Sequence, residues 1–380
     1  MDVPVSVPPV ARRRPSFMPG LIGLLLLFVL AIGGAIAFSV YLLRVNPEPA
    51  LPTAPSPAPF RVVFHQAGKL WLAGSKASPR VLADVPAGIA SRITAMSLAP
   101  DGRHVLLISE AGGFHGWLLA APNATPEPLP LPPRAMGPGP WRYIAISWRN
   151  GRTPNVLLAA GVIDDPRAVV ARFDAGSGGV VSAGWTALGV LAGQPLSLAP
   201  PADQIALLET EPAAADFAAQ SAVRLQRLDG SQPRVAWHAV GGTPPAALLW
   251  APDGGTVAVV GAHGLAIQKS SGRTVRVVSD GIPPVSFSRQ GDSVAYLSGS
   301  QGSWRIHVLR LHGEYEHVFA VPDAHAPRWL GWTPDERALV YLSGTTLWEI
   351  APDSGAATRL AGGVSGQIAG IGPAGAPFTP

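Results

Sequence analysis

Cysteine is absent from all 380 residues. Disulfides, thiolate nucleophiles, Cys-ligated zinc and iron–sulfur clusters are thereby excluded together. A lipidated N-terminal cysteine is excluded as well, so the chain is not a lipoprotein. Charge is also scarce, at 14% of residues, with a net of +4. The cations of the main body stand singly along the chain and form no basic face or stripe, so no nucleic-acid partner is expected. Local catalytic signatures are missing too: there is no P-loop, no His-Glu-x-x-His and no EF-hand loop. Ala175-Gly176-Ser177-Gly178-Gly179 approaches a nucleophile elbow but lacks its first glycine. No catalytic residue, cofactor-binding residue or metal ligand is therefore assigned from sequence, and no cofactor is expected.

What the chain has in abundance is apolar material (47%), with Gly 43 and Pro 41. No Gly-X-Y period accompanies them, which excludes collagen. Glycine and proline spaced between short apolar runs suit an all-β chain with many turns.

The longest apolar run, Gly20 to Leu43, carries no charge. About 20 apolar residues suffice to cross a bilayer as a helix. In lipid every backbone polar group must be paired internally, which favours helix there. Arg12, Arg13 and Arg14 precede the run and only Arg44 follows closely, so positive charge places the N-terminus in the cytoplasm. The expected organisation is a cytoplasmic tail (1–19), a single-pass helix held in the lipid bilayer of the plasma membrane (20–44), a linker (45–59) and an extracytoplasmic domain (60–380). A cleaved signal peptide is the competing reading, since Ala35-Ile36-Ala37 resembles a cleavage site. The run continues past that point to Leu43, beyond an ordinary signal sequence. Alternating prolines from Pro47 to Pro59 block helix and sheet and favour an extended, semi-rigid spacer.

One phrase recurs through the remainder. It reads Leu98-Ala99-Pro100-Asp101-Gly102, then Trp250-Ala251-Pro252-Asp253-Gly254, Phe287-Ser288-Arg289-Gln290-Gly291 and Trp332-Thr333-Pro334-Asp335-Glu336. Looser copies stand at Trp148-Arg149-Asn150-Gly151 and Leu198-Ala199-Pro200-Pro201. Pro-Asp-Gly is turn chemistry: Pro presets φ, Asp bonds the backbone ahead and Gly accepts positive φ. The residue before each turn ends a short inner strand, and an apolar run such as Val257-Ala258-Val259-Val260 follows as a buried strand. Two more strands follow, as in Thr346 to Ile350 and Ala357 to Leu360. A four-stranded sheet at intervals of about 45 residues is the signature of a propeller blade.

The phrase resembles the WD40-like repeat of TolB-type bacterial β-propellers, from about Phe60 to the C-terminus, most closely at Trp250 and Trp332. The resemblance implies a fold and leaves function open, because such repeats serve binding, assembly and enzyme-accessory roles alike. Arg61 to His65 and Lys69 to Leu72 have no phrase before them, while Ile368 to Gly375 reads as an inner strand with nothing after it. These halves predict that the C-terminal strand completes the N-terminal blade and closes the ring. Six phrases plus this composite blade predict seven blades, with six as the alternative if a drifted copy is an insertion. Trp250, Phe287 and Trp332 are expected to pack between blades.

His307, His312, Glu314, Glu316 and His317, with His325 nearby, form the densest polar cluster, and Leu311 to His317 reads as a solvated hairpin between outer strands in preference to a metal site. Pro126 to Pro140 and Ala213 to Gln220 are expected to be long loops on the ring. The function expected is a non-catalytic scaffold that binds a protein or small ligand on one face. The alternative is a lactonase-like or other hydrolytic propeller, in which widely separated acids and histidines meet at the central channel.

Overall fold

In a computed structural model of the chain, residues 60–373 are described apart from short internal segments at 75–76, 91, 110–114, 120–126, 137–140, 150–154, 163–167, 177–178, 189–195, 201–203, 212–219, 240–244, 262–263 and 314. The expected anchor and spacer, 1–59, lie outside the described residues, as does nearly all of the expected loop 213–220. No helix among the described residues is long and apolar enough to cross a membrane.

The described residues form seven four-stranded antiparallel sheets. Sheet 1 joins Gln367–Pro373 to Phe60–Gln66, Lys69–Gly74 and Ala77–Asp84. Sheet 2 comprises Ile93–Leu98, Val105–Ser109, His115–Leu119 and Glu127–Pro128. Sheet 3 comprises Trp141–Arg149, Asn155–Val162, Ala168–Gly176 and Gly179–Leu188. Sheet 4 begins at Leu196–Leu198, sheet 5 at Ala247–Trp250, sheet 6 at Ile282–Phe287 and sheet 7 at Pro327–Trp332. Apart from the pair that joins the two chain ends in sheet 1, neighbouring strands are consecutive, the pattern that tight antiparallel turns impose.

The second strand of a sheet reads as an unbroken apolar run because both of its faces are covered. Thr256–Val260, Ser293–Ser298 and Leu339–Ser343 are buried at every position. Their side chains fill clusters that each join two sheets. Phe173 and Leu106 share the cluster between sheets 2 and 3. Leu225 and Val257 share that between sheets 4 and 5, and Tyr341 and Ile306 that between sheets 6 and 7. The seventh sheet returns to the first, where Val340 and Leu342 pack with Phe60, Val62 and Phe64. The chain is an all-β propeller.

Closure is made by the chain ends, as expected. Val62 pairs with Ile371, Val63 with Gly370 and Phe60 with Pro373. Pairing the last strand to the first leaves the first no open edge. The seam is close: a Cβ on Gly372 would stand 2.7 Å from the Cα of Gly102.

One expectation needs correction. Part of the proline-rich stretch 126–140 is sheet, not loop. Glu127–Pro128 pairs with Leu118 and Trp117 as the fourth strand of sheet 2, and Leu129 is buried behind it. Proline is tolerated there because an outermost strand has one side on which no N–H is needed.

Candidate functional site at the channel mouth

The turn after each inner strand carries the repeat phrase. In sheet 5, Asp253 accepts the amide of Gly255 at 2.8 Å, and Gly254 takes φ +68°. The same chemistry recurs where Asp101 accepts the amide of Arg103 at 2.8 Å. Because the phrase sits at the same place in each sheet, these turns gather at one end of the ring.

A cavity of about 330 Å³ opens among them. All seven sheets contribute to its lining, which identifies it as the mouth of the central channel. Prolines come from five turns or strand ends: Pro100, Pro200, Pro252, Pro334 and Pro373. Aromatic walls come from Trp148, Phe287, Trp329 and Trp332. Leu98, Leu330 and Ile371 add aliphatic surface. Among the described residues, Arg289 is the one ionisable side chain of the lining, and neither a carboxylate nor a histidine belongs to it.

Hydrogen bonds between sheets hold these walls. Trp148 donates through Nε1 to Ser97 Oγ at 2.8 Å, Trp250 to the Ser197 carbonyl at 3.0 Å and Trp332 to the Ser286 carbonyl at 3.1 Å. Each indole reaches into the sheet before its own. Trp250 and Trp332 therefore pack between sheets as expected, and the donor role of their rings is an addition. Phe287 is half-buried against the cluster between sheets 5 and 6.

The acids near the mouth are engaged within and between turns. Asp292 accepts the hydroxyls of Ser288 and Ser293 at 2.7 and 3.0 Å. Asp335 accepts the Thr333 hydroxyl at 2.7 Å. Glu336 reaches the neighbouring turn and accepts the amide of Gln290 at 2.6 Å. Burial raises the Glu336 carboxyl above its ordinary pKa in spite of that bond.

The second polar centre lies in sheet 6, away from the mouth. Ser298 Oγ is 2.6 Å from His307 Nε2, and His307 Nδ1 is 2.8 Å from Glu316 Oε1. A carboxylate only accepts, so Nδ1 of His307 is the donor to Glu316. The Tyr296 hydroxyl also donates to Glu316, and its ring stacks on His307 with centroids 4.8 Å apart. Burial pushes the Glu316 carboxyl up, but the Tyr296 and His307 hydrogen bonds and the nearby Arg276 charge bring it to a net lowered pKa. Burial and the same carboxylate push the Tyr296 phenol up.

Serine, histidine and glutamate in this order have the connectivity of a nucleophilic triad. Two observations assign them a structural role. Ser298 is 4% exposed, inside the packing between sheets. The serines at the same strand end in sheets 2 and 7 bond backbone: Ser109 donates to the Ile89 carbonyl at 3.0 Å and Ser343 to the His325 carbonyl at 2.7 Å. The position thus ties a strand to its surroundings, and in sheet 6 His307 provides the tie.

The expected hairpin joins Arg305–Arg310 to Glu316–Ala320, and the correction to it is Glu316, which turns in to His307 instead of facing water. His307 and Glu316 lie on strands and are largely covered, whereas His312 is exposed at the turn and Glu314 lies outside the described residues. No group of three metal-ligating side chains occurs among the described residues. His325, exposed, bonds Asp323 at 2.7 Å.

No family model matches the chain, and no curated protein matches its sequence. Solved structures do resemble it. A functionally unknown protein from Desulfotomaculum acetoxidans DSM 771 is 13% identical with a TM-score of 0.53, covering 81% of this chain and 98% of its own. A candidate 6-phosphogluconolactonase from Bacteroides uniformis ATCC 8492 is 13% identical with a TM-score of 0.52, covering 83% and 99%. TolB from Acinetobacter baumannii is 12% identical with a TM-score of 0.42, covering 83% of this chain and 66% of its own. At such identities the likeness is one of fold: the chain is a β-propeller with TolB and lactonase-like structures among its structural neighbours.

Proposed function

We propose that this chain is a seven-bladed propeller, held on the extracytoplasmic side of a membrane by residues 20–44, that binds a partner or small ligand at its channel mouth without transforming it. The observation that carries the reading is the lining of the mouth among the described residues: prolines, indoles and one arginine, with no carboxylate or histidine. Hydrolysis of a lactone, ester or glycoside needs a general acid and base, a nucleophile or a metal at the reacting atom. A concave, mainly apolar site with few polar groups is the ordinary form of a binding pocket. The seven-blade reading is supported by the cyclic succession of clusters from sheet 1 to sheet 7 and back. The membrane reading rests on the charge-free run from Gly20 to Leu43 and the arginines before it.

The test sets binding against turnover in the full-length protein. A panel of lactones, esters and glycosides is offered to the wild type and to a Pro252→Trp variant that narrows the mouth. Small molecules are expected to bind the wild type, to lose binding in the variant and to be recovered intact. Turnover by the wild type that Pro252→Trp abolishes would replace this reading with an enzymatic one.

A further inference from the structure

Resting on the channel mouth as the binding site, we infer that its ligand is a compact apolar body carrying one anionic group, seated with the anion on Arg289. The argument starts from the supply of polar atoms in the cavity. Proline has no backbone N–H, and five prolines line the mouth, so much of the turn backbone that faces the cavity offers no donor. The Thr333 hydroxyl donates toward Asp335 and accepts the Ala338 amide at 3.0 Å. The Ser286 carbonyl is occupied by the Trp332 indole. Arg289 remains as the group able to orient a ligand.

Its guanidinium is not held in a close ion pair, although the Glu336 carboxylate acts on it electrostatically. Asp253 is engaged with the amide of its own turn and Asp292 with serine hydroxyls, while Glu336 sits against the turn of Arg289 and accepts the Gln290 amide. Among the described residues Arg289 makes no ion pair within 4 Å, and Glu336 influences it from a greater distance. A guanidinium presents a planar fork of donors that matches a carboxylate, sulfonate or phosphate. The indoles and prolines around it offer flat apolar faces to the rest of such a molecule. A cavity of about 330 Å³ lies at the small end of ligand sites, which favours a single small molecule over an inserted protein segment.

The experiment uses a matched pair that differs only in charge, 4-phenylbutyrate and 4-phenylbutyramide. Each is titrated against the full-length protein in uncharged lipid nanodiscs, with tryptophan fluorescence as the readout and empty discs as the blank. The carboxylate is expected to bind about tenfold tighter than the amide, the size of one charge-assisted hydrogen-bonded contact. Arg289→Gln should erase that preference and leave amide affinity unchanged. Arg289→Lys, which keeps charge but not the fork, should retain part of it, and Arg273→Gln in sheet 5 should retain all of it. Equal binding of the two compounds by the wild type, or an undiminished preference in Arg289→Gln, would overturn the anion assignment while the binding site stands. Absence of binding by both compounds in the millimolar range would overturn the anion assignment and the site reading together.

Discussion

The indole of Trp332 donates to the carbonyl of Ser286 across 3.1 Å, and this one contact states how neighbouring sheets are joined at the inner rim. Ser286 immediately precedes Phe287, the residue that stands in sheet 6 where Trp332 stands in sheet 7. The same offset recurs when Trp250 meets Ser197 before Leu198, and when Trp148 meets Ser97 before Leu98. A sheet whose phrase begins with Leu or Phe thus supplies a serine, and the next supplies an indole. Three such couples span sheets 2 to 7, and the chain-end seam belongs to sheet 1.

A double-mutant cycle on Trp148 and Ser97 isolates one couple. Trp148→Phe with Ser97→Ala should show a coupling of about 1 kcal/mol in urea unfolding, the size of a net hydrogen bond. Coupling indistinguishable from zero would mean that the indole contributes packing alone.

The closing seam makes a steric prediction. Gly372→Ala places a methyl 2.7 Å from the Cα of Gly102, which is backbone and cannot swing aside. Overpacking of this kind costs about 1–3 kcal/mol. Gly88→Ala, where nothing lies within 4 Å of the added carbon, should be neutral or mildly stabilising. Midpoints from thermal unfolding of the two variants check the contrast.

Glu316 predicts an acid dependence. Its folded-state pKa is depressed, so its contribution is complete above the unfolded value, about 4.3 for glutamate, and is lost as pH falls through the lower folded value. Glu316→Gln should therefore lower the melting temperature most above pH 5.5, with the gap to wild type closing toward pH 3. A gap that widens on acidification would contradict the assignment.

Orientation across the membrane can be read by single-cysteine labelling, because the natural chain has no cysteine to interfere. In intact bacterial spheroplasts an impermeant maleimide should label Ser56→Cys in the linker and leave Ser6→Cys untouched. Labelling of both, or of Ser6→Cys alone, would reject the proposed topology.

The parts of the fold written in local chemistry were legible from sequence. Pro252-Asp253-Gly254 announces a turn, and Val257 to Val260 a buried strand, because both depend on residues adjacent in the chain. The pairing of Val62 with Ile371 was legible for a different reason: two half-blades, each lacking what the other has, stand at opposite ends. Glu316 was misread because its exposure is set by register across strands. His307 faces Tyr296, and the Glu316 side chain reaches diagonally from the next strand. The central channel was expected as a possible site, but the residues lining its mouth were not legible, since they are spread over seven sheets. Its trace was nonetheless present, as proline at the same step of the phrase in sheets 2, 4, 5 and 7.

The composite first sheet sets an order of events on the ribosome. Gln66 and Ser365, which meet at the closing strand, are 299 residues apart. At a synthesis rate of about 5–20 residues per second, the strand Phe60–Gln66 spends roughly 15–60 s as an open edge before its partner exists. The nascent chain must therefore keep that edge from foreign strands until Gln367–Pro373 has been made, and a product cut short before that strand carries the edge exposed permanently.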